Sequence, residues 1–293
     1  MSFQSEALSW RTGTEITGLD LSDFGQIQEE VIQSLWKLLG ERGILVFRSQ
    51  TLDHDQHIGF SRRFAPLYPD RGMLARGAPP GYPDIYTVTN MKINGVRSPS
   101  YDSARMWHSD MSFMERPPSA SLLHCVKAPR LGGNTLFANM YQAYDGLSGG
   151  VRRTLEGLRA FHTVSNKRAR VSRGTQVTKD RPPTDAELKY FTGALHPVVQ
   201  VHPDTERKCL YVSEQSTERF EDWTLEESIP LLSYLDAFST QPAFTYRHQW
   251  RSGDLIMWDN RCVIHHAPAD YDVSAMDAPE NQRLMYRTEL ACR

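Results

Sequence analysis

Gly253-Asp254-Leu255-Ile256-Met257-Trp258-Asp259-Asn260-Arg261-Cys262-Val263-Ile264-His265-His266-Ala267 contains two short, largely apolar runs, 254–259 and 262–266. A turn signal, Arg251-Ser252-Gly253-Asp254, precedes them. Runs of this length bounded by turn residues predict two strands. Working outward, the same texture recurs at 119–126, 133–139, 197–202, 208–213, 243–250 and 283–290, with Leu131-Gly132-Gly133-Asn134 as a further turn. Helices are expected near 184–192 and 225–238, each opened by a capping box, Thr184 with Glu187 and Thr224 with Glu227. Eight or so short strands with inserted helices predict a mainly β fold with flanking helices, its core a double-stranded β-helix of jelly-roll, cupin-like type.

Toward the N-terminus, Ile27, Val31, Leu35 and Leu38 recur at helical spacing and predict an amphipathic helix over 24–39, with Gly40 and Gly43 as stop signals. Ile44-Leu45-Val46-Phe47 reads as a strand. A second helix begins near Asp53, whose side chain caps while Gln56 closes a capping box, and carries Ile58 and Phe60 toward Phe64. Residues 67–105 are polar and Pro/Gly-rich, with one strand around Ile85 to Val88, and read as loops over a pocket mouth. No boundary divides the chain. Residues 1–293 are read as a single domain.

The composition excludes several function classes. Over 293 residues the net charge is −2 and the pI about 6.6, so no broad basic face for nucleic acid is expected. The basic run Lys167-Arg168-Ala169-Arg170, with Arg173, reads as a solvated loop. No apolar run approaches the roughly 20 residues that span a bilayer. Met1-Ser2-Phe3-Gln4-Ser5-Glu6 lacks the features of a signal peptide. Cys125, Cys209, Cys262 and Cys292 are scattered, form no CxxC pair and fit a reducing cytoplasm.

The chemistry is concentrated in Met106-Trp107-His108-Ser109-Asp110. In a strand, residues i and i+2 share a face, so His108 and Asp110 can converge on one ion. An imidazole and a carboxylate need one more ligand from a distant segment to complete the two-His-one-carboxylate pattern of iron(II) oxygenases. An HxD triplet alone is weak, because such triplets arise by chance.

Further motifs, in order, strengthen it: Gly43-Ile44-Leu45-Val46-Phe47-Arg48, Gly-Gly-Asn-Thr at 132–135, Tyr246-Arg247-His248-Gln249-Trp250, the 253–267 stretch and Arg283-Leu284-Met285-Tyr286-Arg287-Thr288. Together with Trp-His-Ser-Asp they resemble the TauD/TfdA family, which contains taurine dioxygenase and 2,4-dichlorophenoxyacetate dioxygenase. The resemblance implies an oxidoreductase that uses Fe(II), 2-oxoglutarate as cosubstrate and O2. It places the metal ligands at His108, Asp110 and His265, with His266 the adjacent rival. It matches Thr135 and Arg283 to the groups that bind the distal carboxylate of 2-oxoglutarate. Arg287 matches the arginine associated with an anion on the primary substrate. Decarboxylation of 2-oxoglutarate to succinate and CO2 would then accompany hydroxylation of a small organic anion, with cleavage where the product is unstable.

The arginines also make physical sense without the family, since a planar guanidinium binds a desolvated carboxylate bidentately. Being four apart, Arg283 and Arg287 are expected on one inward strand face, far in sequence from any carboxylate that could neutralise them. Competing readings are a non-catalytic cupin-like binding protein and a zinc hydrolase. His54 and His57 are expected on an exposed helix face and His124 in an apolar strand, while His162, His196, His202 and His248 lack a ligand-spaced partner. A homo-oligomer is the expected assembly. The pocket walls should come from the 67–105 loops and the insert near 164–182. The segment 271–280 is longer than expected before the arginine strand.

Overall fold

The computed structural model describes residues 3–68, 77–93, 95–97, 104–164, 166–168, 192–268, 270 and 275–292. The helix expected at 184–192, its capping box, and most of the 164–182 insert lie outside the described residues. So do parts of the 67–105 and 271–280 segments.

The core is a seven-stranded sheet facing a three-stranded one. In spatial order the large sheet runs Gln4–Ala7, Thr14–Thr17, Ile44–Phe47, Leu255–Asp259, Ala120–Lys127, Leu284–Leu290 and Tyr86–Thr89. The small sheet is Thr245–His248, Thr135–Asn139 and Val263–His266, antiparallel throughout. This is the jelly-roll architecture expected from the strand texture. A further sheet, Ala194–Pro197, Arg159–His162 and Thr217–Phe220, flanks the core.

The continuous apolar runs are explained by burial on both faces of the large sheet. Ile44, Val46, Ile256 and Trp258 point to the inner cluster shared with Phe137, Val263 and Ile264 of the small sheet. The alternate residues Leu45, Phe47, Leu255 and Met257 pack against Ile32, Leu35, Leu39, Phe60 and Phe64 of the helical layer. A two-residue alternation sends successive side chains to opposite faces, so a strand with cores on both sides needs apolar residues at every position. Each fully buried side chain of this size contributes roughly 1.5–3 kcal/mol. Phe137 and Trp258 meet across the sandwich with ring centroids 5.8 Å apart.

Several local expectations are corrected. The 24–39 helix is two pieces, a 3-10 turn over Leu21–Gln26 and an α-helix over Glu29–Arg42. Asp20 caps the first piece, and a non-helical Asp23 breaks its regularity. Gly40 lies inside the helix, and Gly43 ends it in a left-handed conformation at φ 76°. A Cβ on Gly43 would also meet Val263 Cγ2 at 2.6 Å, so the stop doubles as a close packing point. The Asp53–Gln56 and Thr224–Glu227 capping boxes both form. Arg168 is buried rather than solvated: it pairs with Asp236 and donates to the carbonyls of Thr217 and Ser213. His57 is buried too, beside Thr288. Among the described residues, no helix is long and apolar enough to cross a membrane.

Candidate metal centre and active site

The two segments that carry His108 and His265 meet through a single bridge, in which each backbone N–H donates to the other's carbonyl at 3.0 and 2.7 Å. Beyond it the Trp-His-Ser-Asp segment is not a strand, contrary to expectation. The chain turns immediately after Asp110, with Met111 at φ 49°. The turn, together with the bridge, brings three side chains together from two distant segments. His108 Nε2 and His265 Nε2 each lie 3.9 Å from Asp110 Oδ1. All three residues are buried, and their ligand atoms lie within 4.8 Å of one another.

Hydrogen bonds aim the His108 and Asp110 side chains, while the His265 ring packs beside Phe137 and Trp258. His108 Nδ1 sits 2.8 Å from the carbonyl of Met106. A carbonyl only accepts, so the proton is on Nδ1 and the Nε2 lone pair faces the cluster. Burial lowers the pKa of both histidines, His265 well below its usual value, favouring the neutral form that ligates a metal. Asp110 Oδ2 accepts from Ser121 Oγ at 2.7 Å, which leaves Oδ1 toward the histidines. Asn260 Nδ2 in turn donates to Ser121 Oγ at 2.9 Å, and Trp258 Nε1 donates to Asn260 Oδ1 at 2.9 Å. Ser109 Oγ donates to the Asn260 carbonyl at 2.7 Å. Trp258 and Asn260 thus brace the distant His108–Asp110 segment. Burial drives the Asp110 carboxyl up, but the Arg287 guanidinium, foremost, and the Ser121 hydrogen bond oppose it, and the carboxyl is held below the ordinary range. A neutral imidazole pair with one ionised carboxylate suits an iron(II)-type cation.

His266 is turned away. Its ring stacks on Trp107 at 5.3 Å between centroids.

A cavity of about 210 Å³ opens above the triad. Thr135, Arg283 and Arg287 all line it. Thr135 Oγ1 accepts from Trp250 Nε1 at 2.9 Å, which leaves the hydroxyl proton available to an anion. Gly132 and Gly133, both at positive φ, turn the chain into the Thr135 strand, and a Cβ on Gly133 would meet Pro129 at 2.7 Å. Asp270 fixes that turn, accepting from Gly133 N and Asn134 Nδ2 at 2.7 Å each. Arg283 stands just ahead of its strand, its backbone clasped by Thr89 and Asn90.

The surroundings of Arg287 correct one expectation. Carboxylates lie close on both sides of it: Nη1 is 2.9 Å from Asp110 Oδ1 and Nη2 is 2.8 Å from Glu289 Oε1. The face of Tyr86 lies 5.1 Å from its guanidinium carbon. Glu289 lies two residues along the same strand and shares its face with Arg287, so a carboxylate is close in sequence after all.

A second buried cluster is His202, Asp259 and Cys262. Its cation is already present. Arg261 binds both Asp259 oxygens at 2.9 and 2.7 Å, and His202 Nε2 lies 3.0 Å from Oδ2. The cluster is a structural ion pair.

The chain is similar to several known proteins. The sequence pattern of the family described as "Taurine catabolism dioxygenase TauD, TfdA family" matches residues 4–288. An alpha-ketoglutarate-dependent 2,4-dichlorophenoxyacetate dioxygenase of Cupriavidus pinatubonensis is 34% identical over 254 residues, covering 83% of this chain and 85% of the relative. An alpha-ketoglutarate-dependent sulfate ester dioxygenase of Pseudomonas putida is 30% identical over 270 residues, covering 89% and 82%. The crystal structure of AAD-2 in complex with Mn(II) and N-oxalylglycine superposes with a TM-score of 0.80 at 28% identity, covering 100% of this chain and 98% of that one.

Proposed function

As the chain belongs to the TauD/TfdA family and is an Fe(II)- and 2-oxoglutarate-dependent dioxygenase, we propose that it hydroxylates a small organic acid at the cavity above His108, Asp110 and His265. The observation that supports this reading most is the convergence of two buried, neutral histidines with one ionised carboxylate at the floor of a cavity that also holds Thr135 and Arg283. Bound iron(II), with 2-oxoglutarate and O2, supplies the oxidant that hydroxylates a C–H bond while succinate and CO2 are released.

The protein's share is position and water exclusion. His108, Asp110 and His265 hold the metal on one face. Arg283 and Thr135 take the distal carboxylate of 2-oxoglutarate, the first by charge and the second by a hydrogen bond. Arg287, further along the same strand, faces the substrate and orients its acidic group, so that one C–H bond is presented repeatedly. Two relatives are named for a phenoxyacetate and for sulfate esters; a carboxylate or sulfur oxyanion on the substrate is the corresponding expectation here. A reducing cytoplasmic setting fits the four free cysteines.

The test is iron-dependent succinate release across a panel of organic carboxylates, sulfonates and sulfate esters. At least one should raise succinate well above the substrate-free rate and be recovered as an oxidised product. Equal succinate with every compound would contradict the substrate class.

A further inference from the structure

Glu289 has no assigned part in holding the metal or 2-oxoglutarate, yet it occupies a demanding position. It is 1% exposed, lines the cavity, and sits on the strand face that also bears Arg287. Its Oε1 holds Arg287 Nη2 at 2.8 Å, while Nη1 reaches Asp110. A buried carboxylate is costly to keep, and here its charge is set directly against the guanidinium expected to meet the substrate.

The charge count shows the consequence. The described charged residues of the cavity wall are Arg105, Arg283 and Arg287 against Asp110 and Glu289. Removing the Glu289 charge would make this described wall more positive by one unit, beside the guanidinium expected to meet the substrate. The geometry agrees, because a guanidinium with Nη2 on Glu289 and Nη1 on Asp110 can give a newcomer single N–H contacts but not the bidentate fork.

We propose that Glu289 is a specificity-determining residue: by holding one end of Arg287, it limits the substrate group there to a singly charged or uncharged oxygen and turns away doubly charged groups. This rests on the proposed role of Arg287 as the substrate-facing arginine. It narrows the organic acid to a monoanion such as a carboxylate or sulfonate.

The experiment loads the full chain with Mn(II) and N-oxalylglycine and titrates three probes by calorimetry at pH 8. They are phenoxyacetamide, phenoxyacetate and phenylphosphonate, of charge zero, minus one and minus two. Glu289→Gln keeps the volume and removes the charge; Glu289→Thr is a second, smaller replacement. The anion-to-amide affinity ratio should rise at least tenfold in both variants, and more for the phosphonate than for the acetate. N-oxalylglycine binding should stay within a few-fold of wild type. Ratios unchanged in both variants, or no detectable anion binding in any of the proteins, would overturn the proposal. Failure of the wild type to take up Mn(II) and N-oxalylglycine would instead count against the dioxygenase site itself.

Discussion

Arg287 Nη1 stands 2.9 Å from Asp110 Oδ1, the same carboxylate oxygen that faces His108 and His265. The guanidinium proposed to meet the substrate therefore also touches the carboxylate proposed to hold the metal. Substrate orientation and metal binding share one residue pair, which shapes the expected behaviour of the variants.

His108→Ala, Asp110→Ala and His265→Ala should each abolish turnover and deplete bound iron, because each removes one of three protein anchors. His266→Ala should retain iron, since its ring stacks on Trp107 away from the cluster. Metal analysis of purified proteins decides between the two histidines.

Ser121→Ala should weaken metal binding roughly 10–100-fold, the usual range for losing a group that orients a ligand. Ser121 Oγ is the donor to Asp110 Oδ2 and the acceptor from Asn260. Titration with Mn(II) reads the loss. An affinity equal to wild type would show that Asp110 is held without it.

Arg283→Ala should raise the 2-oxoglutarate requirement by roughly 3–5 kcal/mol in binding, as a buried carboxylate loses its charged partner. Thr135→Ala should cost less, about 1–2 kcal/mol for one hydrogen bond. Titrating 2-oxoglutarate against both variants checks the order as well as the sizes.

Arg287→Ala should leave 2-oxoglutarate affinity nearly intact while oxidised product falls relative to succinate. Arg287→Lys should recover part of the coupling, since an ammonium keeps charge but cannot span Asp110 and Glu289 as the planar guanidinium does. The alanine variant should also melt earlier, because buried Glu289 loses its partner. Measuring succinate and product together separates an orienting role from a structural one.

Acid stability should depend on Asp259. Burial pushes its carboxyl up, but the charge of Arg261 and hydrogen bonds from Arg261 and His202 outweigh that and hold it at about 2, against an ordinary 3.8. A folded pKa below the unfolded one gives stability that is full above about pH 4 and lost as pH falls toward 2. The contribution is roughly 2 kcal/mol. Asp259→Asn should flatten the wild-type loss of unfolding free energy over that window, as read by denaturant titration at several pH values.

Much of this site was legible because its chemistry sits in short, ordered motifs. His265 was distinguishable from His266 by its match to the family's distal histidine after Trp258-Asp259-Asn260-Arg261, and the strands announced themselves as short apolar runs bounded by turn residues. What was not legible depended on contacts distant in sequence. Asp110 sits at a turn rather than in a strand because a left-handed Met111 redirects the chain. Ser121 and Asn260 meet Asp110 only across the sandwich. Arg168 looked solvated until folding surrounded it with the carbonyls of 213 and 217 and the carboxylate of Asp236. Asp270, lying 137 residues beyond Gly133, gave no local sign that it fixes that turn.

The central claim is that His108, Asp110 and His265 hold an iron(II) that 2-oxoglutarate joins. It is tested most directly by the anaerobic visible spectrum of the protein titrated with iron(II) and then 2-oxoglutarate. A charge-transfer absorption should appear only when both are present, persist in His266→Ala and vanish in His265→Ala. Absence of the band in the wild-type protein, or an undiminished band in His265→Ala, would contradict it.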